Sequence, residues 1–331
     1  MNERPSKRPP FWLLPNLLSL DAPLVAVVWM WILAKSMRVV YVDNHAYWLL
    51  AGAVWSIYVL DRILDVRRDQ GPVEEMSARH RFHWKYWKIL LPIVIGVVIY
   101  CGYSAFNIAS AALLTAGISG VGMVFIYILA RNFDKGEVAY AKNFIAAMTF
   151  SFGVAAPIVV ESVQLEKGIY DLWFHFTSHS DADFFLALRH GIANFFLMTV
   201  STLGIVFASS ALPFLFGLLC FLNITAIDLW EKSRRSSLDE EKEACETLLG
   251  TGLLILAAYA VYLAAYKLSE YERPLCYVVM VATALLYLIN KYRSNFYLDA
   301  QRVLADLAMI LPLPLIWIFS ESDTLSFMWS F

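Results

Sequence analysis

Repeated runs of about twenty apolar residues, each closed by a short polar stretch, decide what this chain can become. Crossing the ~30 Å hydrocarbon layer of a bilayer takes roughly 20 apolar residues, and inside it each backbone N–H and C=O needs a partner within the segment, so such a run is a helix. Nine runs qualify: 16–38, 44–67, 87–106, 108–130, 140–161, 204–230, 247–267, 274–290 and 302–320. The stretch 183–203 is apolar enough for a tenth, but Arg189 and His190 interrupt it, and an interfacial or re-entrant helix suits it better. With 16% charged residues, against about 25% in soluble domains, the composition excludes an ordinary soluble protein. The reading is an all-α, polytopic membrane bundle of about nine transmembrane helices.

Charge placement predicts the orientation. With a cytoplasmic N-terminus and nine spans, 20 of the 26 Lys and Arg residues fall on the inner side. Lys35, Arg38, Lys167, Arg189, Lys267 and Arg273 remain outside, a bias that follows the positive-inside rule. A tenth span would move the cluster beginning at Lys232 to the outer side. The four cysteines have no pairing or zinc-type spacing. The longest polar stretches, 68–86, 161–182 and 231–246, are too short for a soluble domain. One membrane domain over 16–320 is therefore expected, between a cytoplasmic tail at 1–15 and a C-terminal tail at 321–331. The absence of a Ser/Arg-rich leader favours a prokaryotic inner membrane.

Two acidic helix ends stand out. In the first, Asp61, Asp65 and Asp69 sit four residues apart where an apolar run ends. At about 100° per residue they share one face of a helix, and like charges so placed call for a cation, an arginine such as Arg68 or a metal. In the second, Asn223, Asp228 and Glu231 occupy one half of another helix ending on the same side. Hard oxygen donors without histidine or cysteine suit Mg²⁺, which takes a few carboxylates, water and substrate phosphates. Fixed cations at this end, Arg68, Arg131, Lys142 and Lys232, could hold phosphate oxygens. The bland alternatives are ion-paired caps for the aspartates, a helix-joining amide for Asn223, membrane anchors for Arg131 and Lys142, and an Arg62 that snorkels to headgroups. Arg79, His80, Arg81 and His83 read as part of an interfacial amphipathic segment. His175 and His179 in the outer loop lack a third metal ligand of suitable spacing.

In spacing, Asp61 to Asp69 resembles the first aspartate-rich motif of the UbiA superfamily of intramembrane prenyltransferases, and Asn223 to Glu231 resembles its second. The stretch from Arg131 to Pro157, with Lys142-Asn143 opening a helix, is similar to the segment after the family's fourth span. Asp61 stands where the family usually has Asn, and Arg62 where it usually has Asp. The resemblance implies that Asp61, Asp65, Asp69, Asn223, Asp228 and Glu231 hold Mg²⁺. It further implies that Arg131 and Lys142 hold the diphosphate of a prenyl donor, whose cation passes to a lipophilic acceptor. Partners would then be prenyl diphosphate, acceptor and membrane lipid, with no nucleic acid. A terpene cyclase of the same family, and a transporter or lipid-binding protein whose intramembrane carboxylates couple ions, are the alternatives.

Overall fold

The structure is a computed structural model describing residues 10–39, 42–68, 77–105, 140–163 and 211–319. All regular structure among them is helical. A turn of helix at Phe11–Leu13 leads into α1 (Leu14–Leu17). It is followed by α2 (Asp21–Ser36), α3 (Asn44–Arg68), α4 (Ala78–Ala105), α5 (Tyr140–Val163), α6 (Ala211–Arg235), α7 (Asp239–Tyr266), α8 (Arg273–Lys291) and α9 (Leu298–Ile310). Six helices are long and apolar enough to cross a membrane, the last counted over Leu298–Phe319. The bent pair Phe11–Leu17 and Asp21–Ser36 makes a seventh if taken as one span. Although α3 has 25 residues, its last turns carry Asp61, Arg62, Asp65 and two more arginines, which shortens its apolar part. The runs 108–130 and 183–203 lie outside the described residues.

The element ends depart from the sequence expectation in three places. The run 16–38 is not one straight helix: the chain bends by 79° between Leu17 and Asp21, with Ser19 in the left-handed region at φ 54°. Pro15 and Pro23 both sit in first turns, where a missing N–H is tolerated, so each marks a fresh start. In the stretch 68–86, α4 already begins at Ala78, with the Arg81 N–H bonded to the Ser77 carbonyl. In 231–246, α6 continues to Arg235 and α7 resumes at Asp239, so only residues 236–238 are non-helical. Three acidic residues in the first turn of α7 and three basic ones in the last turn of α6 complement the helix dipoles and favour both extensions. At α3, Asp43 accepts the His45 N–H at 2.8 Å, a bond that holds its carboxyl below the usual carboxylate range.

Helix α2 is the hub, packing on α3, α5, α8 and α9. Trp29 at its centre is fully buried, stacked on Phe216 of α6 with centroids 4.1 Å apart. Its indole N–H donates to the Met309 carbonyl of α9 at 3.0 Å. Lipid tails are as apolar as leucine, so close packing and hydrogen bonds, more than removal from water, hold these helices together. Gly217 shows how tight the fit is: a Cβ there would lie 2.7 Å from Met148 Sδ on α5. A second, separate apolar cluster, Val59, Ile63, Leu90 and Val94, joins α3 to α4.

Paired contacts set the directions. Asn143 near the start of α5 meets Asp228 near the end of α6, while Ser151 bonds the Pro213 carbonyl farther along, so these helices are antiparallel. Val163 and Ala211 therefore share the opposite end. The end of α8 meets the start of α7 through Asn290 and Glu246, and Arg302 of α9 meets Glu231 of α6. One end of the bundle thus gathers the starts of α2, α4, α5, α7 and α9 and the ends of α3, α6 and α8.

Gly217→Val should cost about 1–3 kcal/mol by overpacking, read as a lower melting temperature in detergent. Gly96→Ala, with nothing within 4 Å of its Cβ position, should not lower it. If the polar end is cytoplasmic, an impermeant thiol reagent applied to intact cells should label Lys267→Cys and spare Leu238→Cys until the membrane is permeabilised.

Candidate functional site at the polar end of the bundle

The bend before α2 is what turns a carboxylate inward. Asp21 stands in the first turn, where its Oδ1 accepts the Ala22 N–H at 3.0 Å and its Oδ2 accepts the Asn16 amide at 2.6 Å. The Asp306 carboxyl of α9 lies in hydrogen-bonding reach of Asp21 and of the Asn223 amide of α6. Four elements therefore bring two carboxyls and two amides to one point. Tyr58 and Arg62 of α3 and Arg79 of α4 are near enough for their charges and dipoles to act on it. Asn223 Oδ1 is buried without a hydrogen-bond partner among the described residues. Trp55 fixes the bend from the side, its indole donating to the Leu18 carbonyl at 2.9 Å.

Next to this point lies a charged group. Arg302, only 3% exposed, pairs with Glu231 of α6 and, at 3.0 Å, with Asp299 on its own helix. Glu231 also meets Arg235 at 3.3 Å, one helical turn on. Asp228 accepts the Asn143 amide at 2.7 Å and feels Glu231, Lys142 and Arg79. Arg79 feels Arg62, Arg302, Glu231 and Asp21. Its carbonyl accepts His83 Nδ1–H at 2.8 Å, which leaves Nε2 of this 1%-exposed imidazole facing the Ser19 hydroxyl at 3.5 Å. Trp230 on the far side of α6 donates to Asn290 at 3.0 Å, and Asn290 donates to the Glu246 carbonyl at 3.0 Å, tying α6, α7 and α8 together.

Of the residues singled out in the sequence, Asn223, Asp228 and Glu231 stand at this end, but each has its own surroundings. Glu231 is engaged by two guanidiniums, Asp228 by an amide, and Asn223 faces the carboxyl pair. Asp61 is exposed on α3 and Asp65 half-buried. From the first motif it is Arg62, read as a snorkelling anchor, that acts on the charged group. Lys142 stands near Asp228, and Lys232 follows Glu231 in the last turn of α6. Asp69 and Arg131 lie outside the described residues, as does the side chain of Arg68. Among the described residues, no three His, Cys, Asp or Glu side chains gather closely enough to hold a metal ion.

Sequence reasoning passed over Asp21, Asp306, Asn16 and Arg302, and placed Arg79 at the interface. The signals were present. Ser19-Leu-Asp21-Ala-Pro23 reads as a helix start inside an apolar run, and Asp306 is a lone carboxyl inside a span, which by itself marks a functional candidate. Comparison of the chain with protein families, with curated proteins and with solved structures finds no match in any of the three.

Removing Arg302 takes the buried cation from both Glu231 and Asp299 and leaves Glu231 only the exposed Arg235. Arg302→Met should destabilise the bundle by about 3 kcal/mol. Adding Glu231→Gln to that variant should restore part of the loss, measured as detergent-solubilised melting temperature in a double-mutant cycle.

Proposed function

We propose that the chain is a Mg²⁺-dependent intramembrane prenyltransferase that ionises an isoprenoid diphosphate and passes the prenyl group to a lipophilic acceptor. The observation that carries this reading is the gathering of carboxyl, amide and guanidinium groups from seven helices at one end of an otherwise apolar bundle. A substrate with an apolar tail and a polyanionic head needs both environments at once. The order and spacing of the two acidic motifs, similar to those of the UbiA superfamily, support the same reading.

The oxygen donors fit a hard divalent cation in part. Asn223 Oδ1, buried and without a hydrogen-bond partner, and the Asp228 carboxylate are oxygens of the kind Mg²⁺ takes, whereas Glu231 would first have to leave Arg302. Bound there, the ion would supply Lewis-acid stabilisation of the departing diphosphate. The residues themselves shape the site: the half-buried Tyr58 stands near Asp306 and Asp21, and an aromatic ring there could stabilise a developing allylic cation. Trp29 and Phe216 wall the apolar interior against water.

A second reading, an ion-coupled transporter or lipid-binding protein, is favoured by one specific observation. The carboxyl pair Asp21–Asp306 sits beside a helix broken by 79°, with Asp306 eight residues, about 12 Å of helix rise, inside the start of α9. Broken helices around deep carboxyls are a transporter's way of holding ions.

Purified protein incubated with prenyl diphosphates of several lengths and Mg²⁺ should release diphosphate, and Asp228→Ala should lower the rate at least tenfold. Equal release from wild type and variant rejects the prenyltransferase reading.

A further inference from the structure

Three buried nitrogens at the polar end, Arg79 Nε, His80 Nε2 and Arg302 Nε, have no hydrogen-bond partner among the described residues. They belong to one place. His80 feels the charge of Arg79, and both feel Arg62 and Arg302. Buried N–H groups nearly always find an acceptor, because leaving one unpaired forfeits its hydration without return. The two guanidinium edges are unmet donors, and the imidazole nitrogen beside them is a third unmet polar atom at the same end.

The electrostatics point the same way. Arg302 is balanced by Glu231 and Asp299, which leaves its Nε edge turned away from both carboxylates. Arg79 forms no ion pair among the described residues; Glu231, Asp21, Asp228 and Asp306 act on it only from beyond contact distance. Arg62 adds a second cation from α3 rather than a counter-charge. Like charges brought together repel unless an anion sits among them, and of these three cations only Arg302 already has carboxylate partners among the described residues. The missing partner must therefore accept several hydrogen bonds, donate few and carry negative charge. A phosphate group meets all three conditions, and guanidinium forks match its oxygens.

We infer that Arg79, His80 and Arg302, with Arg62, form a binding centre for a phosphate or diphosphate group that grips the anion directly and needs no divalent metal. Arg62, Arg79 and His80 come from the α3–α4 pair, and Arg302 comes from α9. It shares with the prenyltransferase reading the phosphate chemistry of the ligand and rests on that reading to this extent only. The ligand's source can be a soluble or prenyl-type diphosphate or a phospholipid headgroup.

The full chain is reconstituted in phosphatidylcholine nanodiscs with EDTA and titrated calorimetrically with inorganic pyrophosphate. A parallel sample in nanodiscs containing phosphatidic acid is examined by native mass spectrometry for retained lipid. Wild type should bind one of the two probes, and Arg79→Gln and His80→Gln should each weaken it at least tenfold, while Lys85→Gln on the exposed side of α4 leaves it unchanged. Binding of pyrophosphate identifies a diphosphate group, and retention of phosphatidate over phosphatidylcholine identifies a headgroup. Circular dichroism and a single elution peak establish that each variant is folded. If Arg79→Gln fails that check, His80→Gln, which removes no charge at neutral pH, decides alone. The centre is overturned if wild type binds neither probe, if folded variants bind as tightly as wild type, or if pyrophosphate binds only after Mg²⁺ replaces EDTA. That last result would leave the prenyltransferase reading standing. Metal-free binding by a protein that releases no diphosphate from prenyl diphosphates would uphold the centre and reject the enzyme.

Discussion

A charge inside a helical bundle in lipid must be answered by another polar group, because taking an ion out of water costs several kcal/mol that apolar neighbours cannot return. This constraint orders the structure. Asp21 is met by an amide and by Asp306, Arg302 by two carboxylates, Asp228 by Asn143, and Trp230 by Asn290. Apart from Asp299, which shares a helix with Arg302, each answer comes from a different element, so satisfying the polar groups also fixes which helices are neighbours. The apolar contacts could tolerate small slips; the amide-to-carboxylate and indole-to-amide bonds could not.

The helices were largely legible. A run of twenty apolar residues admits one backbone solution in a bilayer, and the spans beginning near residues 44, 140, 274 and 302 appear within a few residues of their expected places. The failures were at ends where polar residues continue a helix. The start of α4 reads Ala-Arg-His-Arg-Phe-His-Trp-Lys, and hydropathy treats that as loop, although its spacing puts Arg79 and His83 on one face, one helical turn apart. The break at Ser19 was hidden for the opposite reason: leucines on both sides kept the run apolar and masked the Asp-Ala-Pro start.

The site was legible as an end of the bundle, less so as a set of residues. Repeated carboxylates draw the eye, and Asp61 and Asp65 were weighted for their spacing. Asp21 and Asp306 belong to no pattern. They meet only because α2 and α9 pack together, which is tertiary information that a periodicity argument does not contain. Arg62 shows the same limit: neighbours in sequence made it a bystander, and neighbours in space put it beside Arg79.

The separate apolar cluster between α3 and α4 has one more consequence. These two helices share that cluster, while α3 also packs on α2 and lends Ala46 and Val54 to the main core, and the polar chain through Trp230, Asn290 and Glu246 binds α6, α7 and α8 together. Arg62, Arg79 and His80 ride on α3 and α4; Glu231, Arg302 and Asp306 belong to the main body around α2. The charged group therefore lies where the small α3–α4 cluster meets the main core, and a ligand seated there would touch groups from both sides of that seam.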